Sequence, residues 1–479
     1  MTPTSRWSHC WIACLAICGL LAGCGAPPPS VEVSRPDPAP PSIVIQNVSV
    51  FDSMSLEIKP AMDVMLKDGV IAAVEPSGQL QSTAGARIIS GAGATLVPGL
   101  IDMHGHIYAA TGPTWLRSAP DPEANLRAYV YSGVTTVFDP SDPSGDAFAR
   151  RDRVRSGDLI GPRIFTTGKL ITCSEGHPRS IIQELAPGWI AWYFVSQVAT
   201  AVDQIPEANR EVDRLAQSGA DAVKIVVDRI PLEAPRMSRE IAAAIAARAN
   251  SHGLRTVAHI GTTEDAIDAA EAGVALWVHG VYKERIPDAE IATLAGYGIP
   301  MVTTSEVFDR WGRGRSGPVI ATKLERETVP ESVLEAFYPI PEDFDLGSFV
   351  GWLDLMRDTR QTRIDNVRRL HEAGVTILAG SDVQSGVFPG AALHRELANL
   401  VAAGFSPAEA IRAATLDPAR FLANGGEPDS GVIEAGKRAD LLLVDGDPST
   451  DIHALAEIRE VFLQGVPVER TAVAAVRLQ

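Results

Sequence analysis

The sequence predicts an α/β protein whose central unit is a (β/α)8 barrel of the TIM type, and two observations lead there. Between about residues 99 and 426, short apolar runs rich in β-branched residues alternate with helix-period segments. That alternation is the signature of parallel strands joined by crossover helices. On either side of this stretch the texture is purely β, so the two chain ends are expected to form one small β-sandwich domain over residues 42–98 and 427–479. Periodicity alone also admits a doubly wound sheet. A chain of 479 residues suits a large barrel with an accessory domain. A net charge of −17 excludes a general nucleic-acid binder, since nothing would neutralise phosphates.

The first residues read as a targeting signal and not as fold. Arg6 precedes an apolar stretch over 10–22, too short for a permanent membrane span. It ends in Leu21-Ala22-Gly23-Cys24, which fits a bacterial lipobox with lipidation on Cys24. The expectation is a lipoprotein signal peptide over 1–23, followed by anchorage in the cell envelope, at the outer membrane in a Gram-negative host. With Cys10, Cys14 and Cys18 removed and Cys24 lipidated, Cys173 would be left without a partner for an internal disulfide. The Pro-rich segment 24–41 reads as a tether.

Strands of the central unit are expected at 97–103, 134–139, 163–168, 221–227, 255–260, 275–279, 300–304 and 375–381. A helix is expected over 238–252, capped by Ser238 and stopped by Gly253. Another is expected over 407–414, where Ser406-Pro407-Ala408-Glu409 supplies a capping box and a proline at the first helical position. Two stretches, 171–206 and 306–358, break the regular spacing and read as substrate-facing loops.

Polar residues stand where these strands end. They are His104 and His106, Lys224, His259, His279 and Asp382. Barrel enzymes assemble their sites at the C-terminal strand ends. A His-x-His pair on extended backbone turns both rings to one side, which suits a shared metal. A lysine closing an apolar run is costly to bury unpaired, and a salt bridge to Asp228 is the alternative to a metal-site role.

With those residues in view, the chain resembles the amidohydrolase superfamily from about residue 43 onward. The segment HEAGVTILAGSD and the tail GVIEAGKRADLLLVDGDP are the most specific features. The branch it is most similar to holds imidazolonepropionase-like and prolidase-type hydrolases. The resemblance implies two divalent metal ions, zinc being first choice and manganese, iron or cobalt alternatives. It implies His104, His106 and Asp382 on the more buried metal, His259 and His279 on the second, and Lys224, carboxylated by carbon dioxide, bridging both. Asp382 would be the catalytic acid and base while hydroxide shared by the metals attacks an amide or peptide-type C–N bond of a small molecule. Ester, lactone or carbamate hydrolysis is the alternative, and a non-catalytic binding lipoprotein a further one. Dimers are common in the superfamily, so a homo-oligomer is one expectation, although no interface stripe is visible.

Relatives often carry His-x-His-Gly at the fifth strand, where this chain has His259-Ile260-Gly261. The ligand survives, and the missing second ring is expected to change the substrate pocket. His177 and Tyr282 are the candidate substrate contacts, the latter to a substrate carboxylate. Asp102 and Asp139 read as structural acceptors, and His394 as packing.

Overall fold

The computed structural model describes residues 31–472 apart from 81–84, 117–118, 186–187, 314–316, 343–346 and 348. The signal segment and Cys24 lie outside the described residues. Among the described residues, no helix is long and apolar enough to cross a membrane.

Two parallel sheets form the centre. Leu100–Asp102, Val134–Asp139 and Arg163–Thr166 make the first. Leu170–Thr172, Ala222–Val226, Arg255–His259, Leu276–His279, Met301–Thr303 and Ile377–Ala379 make the second, in that order, with Ala199–Ala201 added outside Leu170–Thr172. Ala222–Val226 and Leu276–His279 bury every residue, as strands covered on both faces must. The third expected strand, 163–168, is interrupted at Gly168, whose φ of 64° suits glycine. Its first part pairs with Val134–Asp139 and the chain beyond the break pairs with Ala222–Val226, so the ladder divides here.

At the other seam the sheets meet through single bonds. Met103 N donates to Ala379 O at 3.0 Å and Asp382 N to His104 O at 2.6 Å. Gly380 permits this approach, because a Cβ there would lie 2.8 Å from the His104 Cβ. Parallel strands thus occupy the expected positions, without a continuous ladder around them.

The helices obey their caps. Arg239–Ser251 starts after Ser238, whose side chain accepts from Ile241 N, and it turns its 242, 245, 246 and 249 positions inward. That i, i+3, i+4, i+7 spacing is one helical face. Pro407–Ala413 carries the full Ser406/Glu409 capping box. The two inserted stretches are built largely of helices, including Gly188–Val198, Ser305–Arg313 and Phe349–Asp358, where loops are expected from the broken spacing.

The accessory unit draws on both chain ends. Ile43–Asp52, Glu57–Lys67, Val70–Pro76, Arg87–Ser90 and Ala94–Pro98 join Leu441–Asp445, Ile458–Leu463 and Val466–Pro467. Where the sequence suggests a sandwich, hydrogen bonding joins all eight strands in one sheet. Its core is separate and mixes both ends, with Ile43, Val64 and Leu96 against Leu441, Leu443 and Phe462.

One expectation needs correction. The segment read as a tether is already docked at Val31, since Val31–Ser34 pairs antiparallel with Glu469–Ala472. Alternation of Val31 and Val33 with polar residues gives the strand one apolar face, and both valines are buried in the main core. Burying a valine is worth about 1.5–3 kcal/mol. A chain beginning at Arg35 should therefore lose roughly 3 kcal/mol against one beginning at Ser30, measured by urea denaturation. Equal midpoints would show that the pairing contributes nothing.

Candidate metal centre

Five of the six predicted ligands arrive at the end of a central strand or just beyond it, and the sixth, Lys224, from the middle of one. His104 and His106 follow Leu100–Asp102, Lys224 lies within Ala222–Val226, His259 and His279 close their strands, and Asp382 follows Ile377–Ala379. The structure brings all six to one cavity of about 420 Å³. His106 Nε2 lies 3.1 Å from Asp382 Oδ1, His104 Nε2 3.7 Å from the same oxygen, and His279 Nδ1 3.6 Å from Oδ2. His104, His279 and Asp382 each offer a ligand atom within 4.8 Å of the others. The His259 and His279 rings pack 3.9 Å apart. His279 and Asp382 both hold positive φ, 75° and 54°, which is uncommon for such residues. Backbone strain of this kind concentrates at functional sites.

Burial sets the protonation states. His104, His259 and His279 are held well below the ordinary histidine value, chiefly by burial and then by neighbouring cationic groups. They are neutral at pH 7 and their lone pairs are available. Burial alone would lower His106 too, but the hydrogen bond and charge of Asp382 raise it overall. Burial pushes the Lys224 amine down to about 7, against the pull of Asp382.

The hydrogen bonds decide which ring atoms face inward. His106 Nδ1 contacts Ser141 O at 3.2 Å and His279 Nδ1 contacts Thr304 Oγ1 at 2.8 Å, which leaves Nε2 of each for a ligand. Lys224 Nζ and His104 Nδ1 are buried with no partner. Unpartnered buried polar atoms beside neutral imidazoles and a carboxylate make a donor set suited to a divalent cation. The residues fit such a cation.

Other expectations resolve as follows. Lys224 does not pair with Asp228. The strand ends at Val226, and the following turn takes the Asp228 carboxylate to Lys283, Tyr282 and His259 instead. Tyr282 is consequently not free for a substrate carboxylate: its hydroxyl donates to Asp228 and its ring stacks on Phe308 at 4.2 Å, outside the cavity lining. His177 does line the cavity, its ring 5.1 Å from that of His259. His394 Nε2 contacts Ser132 O at 2.8 Å, away from the site. Asp139 accepts from Ser141 N and Ile107 N. Sequence reasoning gave Asp228 no role at the centre; the only signal was glycine at 261 in place of a second histidine.

Comparison with known proteins settles the family. A model of the amidohydrolase family matches residues 95–468. The chain belongs to the amidohydrolase family. Among curated relatives, an adenine deaminase of Chelativorans sp. strain BNC1 is 34% identical over 108 residues, 22% of this chain. That match spans only 16% of the deaminase. An imidazolonepropionase of Ectopseudomonas mendocina strain ymp is 24% identical over 84% of this chain and 90% of its own length. A solved Xaa-Pro dipeptidase with bound methionine superposes with a TM-score of 0.71 at 23% identity, over 89% of this chain and 99% of that one. That likeness is one of fold.

Within this amidohydrolase, Asp102 knits the site together. Its buried carboxylate accepts from His104 N and Ser381 N, both at 3.0 Å, and from Ser381 Oγ at 2.5 Å. It thereby joins the first and last central strands. Asp102→Ala strands three buried donors, at about 1–3 kcal/mol each. The expected loss is roughly 3 kcal/mol or more by urea denaturation, with Asp102→Asn recovering part of it. An alanine variant as stable as the parent would refute that role.

Proposed function

We propose that the chain is a metal-dependent hydrolase cleaving an amide-type C–N bond in an uncharged, apolar small molecule. One observation carries the substrate class. Beyond the ligand cluster the cavity is walled by Ile181, Ile230, Phe308, Trp311, Phe349 and Trp352. Among the described residues that line it, the acidic and basic side chains are the six ligand candidates and His177. No arginine or free lysine is there to receive a substrate carboxylate, and burying one unpaired is expensive. Lys283, near the ligand cluster, is committed to Asp228. We also read the two parallel sheets as the arcs of one (β/α)8 barrel, since single hydrogen bonds bridge them where the ladder stops.

His104, His106 and Asp382 would hold the more buried cation and His259 and His279 the second, with carboxylated Lys224 between them. Such a pair supplies Lewis acidity and brings the pKa of shared water toward neutrality, zinc being the first candidate. The chain's own groups do the rest. Asp382 faces the space between His104, His106 and His279, so its carboxylate can take the proton of the attacking water and return it to the departing nitrogen. The aromatic wall excludes bulk water and orients the apolar substituents. His177, which lines the cavity beside His259, would donate a hydrogen bond to the substrate carbonyl. Carboxylation accounts for Lys224 Nζ, which otherwise stands buried without a partner.

The test measures kcat/KM of the zinc-loaded chain on neutral anilides, ureas and carbamates against N-acyl amino acids and dipeptides. Neutral amides should exceed their carboxylate-bearing counterparts by about tenfold or more, the factor that corresponds to 1.4 kcal/mol. Asp382→Asn should lower kcat by about 10²–10⁴. Preference for the charged series overturns the substrate class, and turnover of esters or lactones alone replaces the C–N reading with the alternative. Loading in carbon dioxide-free buffer should reduce retained zinc, and restored bicarbonate should recover it in the parent but not in Lys224→Ala. Lipidation of Cys24 remains part of this reading, and the intact mass of the protein extracted from membranes tests it.

A further inference from the structure

The Asp228 carboxylate stands beside the ligand cluster without a part in the chemistry so far. It is fully buried, at 0% side-chain exposure. His259 Nε2 lies 3.1 Å from Oδ2, and Tyr282 OH donates to that same oxygen. Oδ1 receives Lys283 Nζ and, at 2.7 Å, Arg229 N. Lys283 Nζ also donates to Arg229 O at 2.5 Å. Every donor in this set is buried or partly buried, so the arrangement is a built one.

Gly261 makes the space. A Cβ at this position would lie 2.5 Å from Asp228 Oδ1 and 2.6 Å from Cγ and Oδ2. Any side chain at 261 would displace the carboxylate. The same residue fixes the donors, because Tyr282 N and Lys283 N both donate to Gly261 O at 3.1 Å. A second histidine at 261 is thus incompatible with the Asp228 carboxylate where it stands.

The other ligand histidines bond outward to neutral acceptors, Ser141 O for His106 and Thr304 Oγ1 for His279. His259 is the one among the described ligands whose outward nitrogen lies within hydrogen-bond distance of a carboxylate outside the cavity lining, since Asp139 stands 3.9 Å from His106 Nδ1. An anion there keeps the proton on Nε2 and leaves Nδ1 as the lone pair. Carboxylate–histidine pairs of this kind orient metal ligands and increase their basicity. Lys283 is the counter-charge without which a buried carboxylate costs several kcal/mol.

We propose that Asp228 is a positioning residue for His259, holding the ring with Nδ1 toward the second cation while Lys283 balances its charge. This rests on the metal reading above. The test compares the full-length parent with Asp228→Asn and the double variant Asp228→Asn/Lys283→Met. Zinc stoichiometry is measured by elemental analysis, affinity by competition with a chromophoric chelator, and ligand geometry by the visible spectrum of the cobalt-substituted protein.

The parent should hold two zinc ions. Asp228→Asn should keep one at parental affinity and bind the other about 10–100-fold more weakly, with an altered cobalt spectrum and a lower kcat at a KM within about twofold. Should Asp228→Asn fail to fold, the double variant, which removes both buried charges, carries the same expectation. Two zinc ions at parental affinity with an unchanged cobalt spectrum in a folded variant overturn the proposal. A parent that retains no zinc overturns the metal reading itself and this role with it, an outcome distinct from selective loss of one ion.

Discussion

Lys224 is buried at the heart of the molecule with an amine that has no hydrogen-bond partner, and three neutral histidines and a carboxylate crowd around it. A charge so placed costs several kcal/mol unless something answers it. The rest of the centre is arranged around that constraint. Burial keeps His104, His259 and His279 unprotonated, so these three add no further positive charge. Asp382 supplies the nearby negative charge that favours the ammonium form. What the protein supplies is a set of lone pairs and one awkward amine, and the fold has to hold them together.

It does so through strand ends and not through loops. The ligand side chains sit at positions fixed by fully buried strands, and the seam between first and last strands is tied by Asp102, by Met103 N to Ala379 O, and by Asp382 N to His104 O. Positive φ at His279 and Asp382 shows that the surroundings impose these orientations on the backbone. Helices from the inserted stretches then close an aromatic wall over the ligands, in which Phe349 stacks on Trp352 at 4.9 Å. Rigid ligands and an apolar cover are separate products of separate parts of the chain.

The ligands were legible in the sequence because each one breaks a local rule. Histidines, a lysine and an aspartate at the ends of apolar runs have no local reason to be there, and their parity on extended backbone says which way they point. Helix ends were legible for a related reason: Ser238 acts on Ile241 and Ser406 on Glu409, each only three residues away. What escaped depends on distant contacts. Asp228 follows Val226 by two residues, and only the vacancy at Gly261 and the donors at 282 and 283 determine where it turns. The break at Gly168 and the docking of Val31 likewise depend on partners elsewhere, the latter more than 400 residues away. The inserted stretches lost their periodicity because their helices are short and amphipathic against the cavity, not against the main core.

The sheet shared by both chain ends has a consequence for how this protein comes into being. Ile43–Asp52 and its neighbours leave the ribosome early, yet Ala94–Pro98 pairs on its far side with Leu441–Asp445. At about 5–20 residues per second, that edge waits roughly 20–70 s for its partner during synthesis. Until then the early strands expose apolar faces and unpaired edges, the surfaces on which chaperones act. Pairing over so long a loop is slow as well as late. Closure of this sheet therefore depends on a strand made more than 300 residues after the one it pairs with.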